Sequence, residues 1–335
     1  MLDKITAKYT AKESDAIRRV FEFAQAAHAG QKRHSGEDYI IHPLKVAEVL
    51  AEINMDYETV AAGLLHDVLE ETSYQAKDLE KEFGTNIAFL VGAVTKLHRV
   101  SYSGEKQYIE NLHKMILAIA KDIRVVIIKL ADRLHNLETL DTYTGNKEKI
   151  AREALEIYAP LASRLGMGEI KGALEDLAFP HVYPLDYIKL LDFVKNQIVE
   201  NKKYAEKIKP NIEKTLKDNG IKYINLNARA KHLYSLWRKL QKYDFNLEMI
   251  YDLVALRVIV PDVASCYETL GILHKYWQPL PNRIKDFIAL AKPNGYQSLH
   301  TTVFCEEGKI TEFQIRTPEM HQNADYGIAA HWSYK

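Results

Sequence analysis

His66, Asp67, Glu70 and Glu71 crowd the end of the stretch Val60–Thr72, behind apolar residues at helical spacing. The pattern predicts the C-terminal part of a mostly buried helix, where four ionisable groups are costly unless each finds a partner. On such a helix Glu70 lies one turn from His66 and Asp67, and Glu71 one turn from Asp67. His42 stands before Pro43, which is expected to hold His42 outside the helical region and let a helix begin behind it. Asp132 interrupts the apolar helix Ile127–Asn136, and Asn136 follows one turn later. Two imidazoles and two carboxylates (His42, His66, Asp67, Asp132) suit a divalent ion of intermediate hardness, Mn or Fe more than Ca. Such an ion lowers the pKa of bound water and gives a hydroxide near neutral pH. Glu70 and Glu71 are then placed to orient that water or move protons.

A second set of groups lies beyond residue 200. Arg229–Lys239 is a basic loop opening into a helix, with Lys231, Ser235 and Lys239 recurring at one-turn spacing. With the helix N-terminus they make a polyphosphate cradle. Asp252 is expected to start strand Leu253–Val260, in which Arg257 is a charge inside an apolar run. Glu312, Gln314 and Arg316 alternate along the next strand and share one face. Asp252 and Glu312 on neighbouring strands are what a Mg-polyphosphate site needs, because hard Mg prefers carboxylate and phosphate oxygens. The turn Pro293–Gly295 presents Tyr296, an aromatic face for a base. No G-x-x-x-x-G-K-[ST] loop occurs, which argues against a P-loop nucleotide site.

These groups need scaffolds of two kinds. From about residue 13 to 200 nearly everything reads as helix. Ser14 is expected to cap a first helix reaching Ala29, with Ile17, Val20, Phe21 and Ala24 on its inner face. Gly30–Tyr39 reads as a basic loop and Ser73–Gly84 as a connection. Val100–Gly104 reads as a mobile loop, Glu105–Lys121 and Asp122–Leu140 as a helical pair, and Asp141–Lys149 as a polar turn. Residues 151–200 read as a helical connector, punctuated by Pro180 and Pro184, with no chemistry beyond packing. After Asn201 helices alternate with strands: Tyr204–Asp218, strand Ile221–Leu226, Lys231–Lys242, strand Leu253–Val260, Val263–Trp277, strands Leu299–Cys305 and Ile310–Arg316, and a helix from Pro318 to His331. That alternation argues for an α/β domain with a mixed sheet. Three segments follow: a helical domain over 1–150, the connector over 151–200 and the α/β domain over 201–335.

Composition narrows the function classes. With 45 basic and 45 acidic residues the formal charge is zero, so no bulk attraction to nucleic acid or membrane is available and a phosphate site must be local. Cys266 and Cys305 are the only cysteines, too few for a disulfide scaffold or a thiolate metal site, and both are expected as buried thiols. No secretory signal or bilayer-length apolar run is evident, which makes the cytoplasm the expected compartment.

The stretch Gly30–Pro43, then His66-Asp67 with Glu70-Glu71, then Asp132–Asn136, resembles the HD-type hydrolase domain of bifunctional RelA/SpoT homologs, which make and degrade the alarmones ppGpp and pppGpp. Arg283–Val303 resembles the synthetase domain of the same family, a nucleotidyltransferase-like fold. In the hydrolase half the resemblance implies Mn2+ on His42, His66, Asp67 and Asp132. Arg33 and Ser35 would lie at the guanine and Lys45 at the phosphates, and Asn136 and Thr139 would face the ribose or base. In the synthetase half it implies ATP on Arg229, Lys231, Ser235, Lys239 and Arg257. Mg2+ would bind Asp252 and Glu312, with Glu312 activating the 3′-hydroxyl. GDP or GTP would meet Lys285, Asn294, Tyr296, His300 and Gln314. Arg283–Asp286 is similar to the basic charge motif of bifunctional members. Two departures stand out: Glu71 where the family has Asp, and Ala228 where it has Gly. Long members continue into domains that bind the ribosome, so the chain reads as a catalytic fragment with no ribosome, DNA or membrane contact of its own. The competing expectations are a hydrolase whose second domain only senses nucleotides, and a binding protein with both sites inert.

Overall fold

In the computed structural model, described over residues 1–98, 121–229, 232–246, 250 and 253–334, the apolar stripes of the N-terminal half fold as packed helices. The chain forms two compact units, Met1–Pro160 with Ala329–Lys335, and Leu161–Ile328. The loop expected at Val100–Gly104 and most of the helix Glu105–Lys121 lie outside the described residues, as do Lys231 and Asp252.

The first unit opens with α1 (Leu2–Thr6) and α2 (Ala11–Ala27). Thr10, not Ser14, caps α2: its hydroxyl accepts the Glu13 amide while the Glu13 carboxylate accepts the Thr10 amide. That reciprocal pair satisfies two orphan donors; Ser14 lies inside the first turn of α2, where its hydroxyl donates to Thr6 O at 2.8 Å. Next come α3 (Ile41–Glu52), α4 (Tyr57–Leu65), α5 (Val68–Glu71), α6 (Ala76–Phe83), α7 (Thr85–His98) and α8 (Ile123–Glu138). Helix α6 occupies the stretch expected to be a plain connection; Asp78 accepts the Gln75 amide at its start. Helices α3, α4, α7 and α8 pack on one another around Val46, Leu50, Val60, Leu64, Leu90, Val126, Ile127 and Leu130, all fully buried. Each such side chain contributes about 1.5–3 kcal/mol. At Gly63 an added Cβ would stand 2.5 Å from Leu50 Cδ1, so the missing side chain lets α4 lie close against α3.

Two local expectations change. His42 and Pro43 lie inside the first turn of α3, because the N–H that proline lacks is unpaired there in any case. The helix over 60–71 is not continuous: α4 ends at Leu65, and α5 starts after Asp67, whose carbonyl accepts the Glu70 and Glu71 amides at 3.0 and 2.9 Å. Successive residues on a helix point about 100° apart. The break lets His66 and Asp67, neighbours in sequence, face one point. A 3-10 turn (Leu140–Thr142), α9 (Lys147–Glu153) and a π-helical turn (Ala154–Tyr158) follow.

Helix α10 (Ala159–Arg164) leads into the second unit, which continues with α11 (Gly168–Val182), α12 (Pro184–Asp218), α13 (Leu233–Lys242), α14 (Val263–Tyr276) and α15 (Pro318–Tyr326). Helix α12 runs 35 residues, straight through the composition change near Asn201. The mixed sheet holds β1 (Asn225–Ala228), β2 (Ala255–Ile259), β3 (Lys285–Asp286), β4 (Leu299–Phe304) and β5 (Ile310–Arg316) in the order β1-β2-β5-β4-β3. Only β2 and β5 run parallel; the other pairs are antiparallel. Against the sequence reading, β1 starts later, β2 is shorter and β3 is additional. Ile208, Ile212 and Leu216 of α12 and Cys266 and Leu273 of α14 pack with Leu256, Val258, Leu299, Val303, Phe313 and Ile315 of the sheet. A second cluster joins Phe179 of α11 and Leu190 and Val194 of α12 to Trp237 and Leu240 of α13. No helix among the described residues is long and apolar enough to cross a membrane.

Candidate active sites

Four side chains from four places in the sequence converge inside the helical unit. His42 Nε2 lies 3.2 Å from His66 Nε2, 3.2 Å from Asp132 Oδ1 and 3.5 Å from Asp67 Oδ2. His66 Nε2 lies 3.2 Å from Asp67 Oδ1 and 3.8 Å from Asp132 Oδ1. All four are buried. His42, His66 and Asp67 can each turn one ligand atom toward a common point, and Asp132 Oδ1 stands beside both imidazoles, a donor set that fits a divalent transition ion.

The neighbours of this cluster are as specific as its members. His66 Nδ1 donates to Gly63 O at 2.8 Å, which turns Nε2 toward the other three side chains. Tyr39 Oη donates to Asp67 Oδ2 at 2.9 Å. Lys129, 2% exposed, places Nζ 2.5 Å from Asp132 Oδ2, and Asn136 Nδ2 donates to Asp132 Oδ1 at 2.6 Å. Burial pushes Asp132 upward, but the Lys129 ammonium and hydrogen bonds from His42 and His66 outweigh it and hold the carboxyl well below the usual range. Burial lowers His42. Burial would lower His66 too, but the Asp67 and Asp132 carboxylates lift it to about 9. Burial, with His42 and Arg33 nearby, takes His135 down to about 3.

A cavity of about 470 Å³ lies in the same unit, lined by Arg33, His34, Tyr39, Glu71, Arg133, Asn136, Thr139 and Tyr143 among others. Arg33 donates to Asn136 Oδ1 at 3.0 Å and to Thr139 Oγ1 at 3.3 Å, so three of the expected nucleotide residues meet on one wall. Glu71 is exposed at the rim and Glu70 is half-buried. Ser35 and Lys45 fall elsewhere. Ser35 bonds Glu37 at 3.1 Å, Lys45 pairs with Glu48 at 2.9 Å, and neither lines the cavity. Sequence reasoning passed over Lys129, His135, Tyr39 and Arg133. Lys129 and His135 stand three residues either side of Asp132, and that spacing was the available signal.

The second site is organised by strand register. Arg257 of β2 pairs with Gln314 of β5, Gln314 with His300 of β4, and His300 with Lys285 of β3, so four expected residues form one row across the sheet. His300 Nδ1 lies 2.9 Å from Glu312 Oε1, and His300 Nε2 lies 2.7 Å from Tyr296 Oη. Arg316, 2% exposed, donates to Tyr296 Oη at 2.5 Å and to Gln314 Oε1 at 3.0 Å. Lys292 Nζ and the Arg316 guanidinium stand over the Tyr296 ring at 4.5 and 4.9 Å. Burial lowers Lys292, and Lys285, Arg316 and Arg229 lower it further; crowded cations of this kind mark a place for an anion. Burial, Arg316 and Lys292 together outweigh Glu312 and lower His300.

A cavity of about 130 Å³ is lined by Arg229, Arg257, Tyr296, Asn294, Arg316, His232, Lys171 and Asp325 among others. Asn294 donates to Ser163 O at 3.0 Å. Ser235 donates to Glu175 at 3.4 Å, and Lys239 is exposed on α13. The stretch read as a packing-only connector also supplies polar groups to this cavity and its surroundings. Ser163, Gly166, Gly168 and Lys171 line this cavity, and Asp176 holds His232 at 2.8 Å. Helical periodicity shows which face of such a segment is apolar but not what its polar face meets.

An all-helical unit holding a buried His/Asp cluster, in one chain with a five-stranded mixed sheet carrying a cationic cavity, defines the class that couples an HD-type domain to a nucleotidyltransferase-like domain. Residues 20–168 match the HD domain family and residues 228–335 the region found in RelA/SpoT proteins. The chain belongs to the RelA/SpoT family. It is 47% identical over 336 residues to a guanosine-3′,5′-bis(diphosphate) 3′-pyrophosphohydrolase of Aquifex aeolicus, covering 100% of this chain and 48% of that one. Against a GTP pyrophosphokinase of Myxococcus xanthus the identity is 45% over 326 residues, 96% of this chain and 43% of that one. Against the bifunctional (p)ppGpp synthase/hydrolase SpoT of Escherichia coli K12 it is 46% over 321 residues, 95% and 46%. The chain spans less than half the length of these relatives.

Proposed function

We propose that the chain is a two-site alarmone enzyme. The helical unit hydrolyses the 3′-pyrophosphate of (p)ppGpp to GDP or GTP and pyrophosphate. The sheet unit transfers pyrophosphate from ATP to the 3′-oxygen of GDP or GTP. The observation that carries this reading is the convergence of Asp67 and Asp132 on the adjoining imidazoles of His42 and His66, at 3.2–3.8 Å, in the unit whose 470 Å³ cavity is walled by Arg33, Asn136 and Thr139. The names of the relatives, one a hydrolase, one a pyrophosphokinase and one bifunctional, support both halves.

His42, His66, Asp67 and Asp132 would hold Mn2+, which when bound supplies a Lewis acid that acidifies water. Arg33 lies against the base, with Asn136 and Thr139 fixing Arg33 and the ribose, and Glu70 and Glu71 take up or deliver the proton of the attacking water. Ser35 and Lys45, off the cavity wall, would meet only a part of the nucleotide that projects beyond it. In the second site Arg229, Arg257 and Lys239, with Lys231 and Ser235, neutralise the ATP phosphates. Asp252 and Glu312 would hold Mg2+. Glu312, bonded to His300, accepts the proton of the 3′-hydroxyl, and Lys285, Asn294, Tyr296 and Gln314 place the acceptor nucleotide. A guanine stacking on Tyr296 displaces Lys292 or Arg316 from one ring face. Residues 1–150 and 201–335 carry the two activities, with 151–200 between them, and the cytoplasm is where these nucleotides would be met.

The test is ppGpp turnover in Mn2+ buffer by the chain and its Asp67→Ala variant, with a parallel incubation in ATP, GDP and Mg2+. Release of pyrophosphate abolished by Asp67→Ala, together with formation of ppGpp, is expected. Hydrolysis without synthesis would reduce the second unit to a nucleotide-sensing module, and neither activity would sink the reading.

A further inference from the structure

Asp132 has two carboxylate oxygens and His42 two ring nitrogens, and only one atom of each can serve the centre. On Asp132, Oδ2 is taken by Lys129 Nζ at 2.5 Å, while Oδ1, which accepts from Asn136 at 2.6 Å, stands 3.2 Å from His42 Nε2. On His42, Nε2 points at His66 Nε2, 3.2 Å away, while Nδ1 lies 2.7 Å from Nδ1 of His135. Lys129, Asp132 and His135 recur every three residues on α8, on one face of the helix.

We propose that Lys129 and His135 are positioning residues of this metal centre, an inference that rests on the metal-site reading above. A hydrogen bond between two imidazole nitrogens carries one proton. For His42 Nε2 to offer a lone pair to an ion, His42 must keep its proton on Nδ1, so His135 accepts there and carries its own proton on Nε2. Lys129 acts on the other ligand: by occupying Oδ2 it stops the Asp132 carboxylate from rotating and leaves Oδ1 as the donor. His66 has an independent support in Gly63 O, which is why the two α8 residues serve His42 and Asp132 alone. Burial gives the argument its weight. Lys129 is 2% and His135 5% exposed, and a core that needed only filling would hold an apolar side chain in place of an ammonium.

The experiment titrates the full chain with Mn2+ alone, free Mn2+ being read by electron paramagnetic resonance. It compares wild type with Lys129→Met, His135→Phe and His135→Gln, and melts each protein metal-free. Lys129→Met and His135→Phe are expected to bind Mn2+ about 10–100-fold more weakly, the usual cost of losing an outer partner of a ligand. His135→Gln, whose amide oxygen still accepts from Nδ1, recovers most of the affinity, although it and His135→Phe melt alike. Equal affinity for wild type and His135→Phe, with wild type binding one ion, overturns the inference and leaves the metal site standing. Should wild type take up no Mn2+, the metal-site reading itself fails and this inference with it. Should Lys129→Met not fold, the two His135 variants decide.

Discussion

Removing the charge of Asp132 while keeping its shape separates what that residue does for the fold from what it does for chemistry. In Asp132→Asn the Lys129 ammonium stays 2% exposed and loses the carboxylate it pairs with at 2.5 Å, keeping only the more distant charge of Asp67. Breaking a buried pair by removing one partner costs about 3–5 kcal/mol. The low end applies, because an amide oxygen can still accept from Lys129 and because the repulsion between Asp132 and Asp67 disappears. A loss of about 3 kcal/mol lowers the melting temperature of a unit this size by roughly 6–12 °C. Adding Lys129→Met removes the stranded charge and returns at least half of that loss, since an apolar pair of similar volume tolerates the site better than a lone ion. The assay is calorimetry of wild type, both single variants and the double variant at pH 7 with chelator present, alongside ppGpp hydrolysis in Mn2+. The cycle should be non-additive by at least about 1.5 kcal/mol, while hydrolysis stays absent in both variants that carry Asp132→Asn. Additivity within about 0.5 kcal/mol would refute the reasoning, for it would mean that Lys129 does not depend on Asp132.

Other consequences follow from particular contacts. Gly327→Ala places a Cβ 2.0 Å from Leu165 O, on a backbone with φ +56° and ψ −130°. It should destabilise the sheet unit by about 3 kcal/mol or more, and an unchanged urea midpoint would count against the packing described. Arg33→Ala removes the bonds to Asn136 and Thr139 on the cavity wall; KM for ppGpp should rise about tenfold, equivalent to about 1.4 kcal/mol, and steady-state kinetics with an unaltered KM would show that Arg33 does not meet the nucleotide. Burial pushes the Cys266 and Cys305 thiols up to about 12 and about 11. The folded state therefore holds these protons more tightly than the unfolded chain does. Their contribution to stability is complete below about pH 8.5 and declines as pH rises through 11–12. Native protein at pH 8 should resist a thiol reagent until urea unfolds it, and rapid labelling without urea would contradict the burial.

Much of this was readable because local chemistry carries it. The apolar pattern of Ile127–Asn136 predicts a buried helix interrupted by Asp132, and the structure has one over Ile123–Glu138. The order of strands and helices beyond residue 200 predicts a mixed sheet, and one is present. The errors cluster where competition between neighbours decides. Thr10 displaced Ser14 as the cap because Glu13 lies three residues beyond Thr10. The helix through His66 is interrupted at His66-Asp67, where α4 ends and α5 begins, which the apolar periodicity does not show. The stretch 161–182 reads as inert because the partners that matter lie far along the chain: Asp176 meets His232 and the Ser163 carbonyl meets Asn294 only after folding.

Residue types and spacings by themselves determined the donor set of the first site, the cationic and aromatic character of the second, and the two scaffolds that carry them, because donor chemistry and periodicity are properties of short segments. Only the tertiary structure decided that Lys129 and His135 stand behind the proposed ligands, and that Arg257, Gln314, His300 and Lys285 line up as one row across three strand pairs. The physical reason is that helix packing and strand register are set by the whole core, and a polar side chain acquires its partner only when that core closes around it.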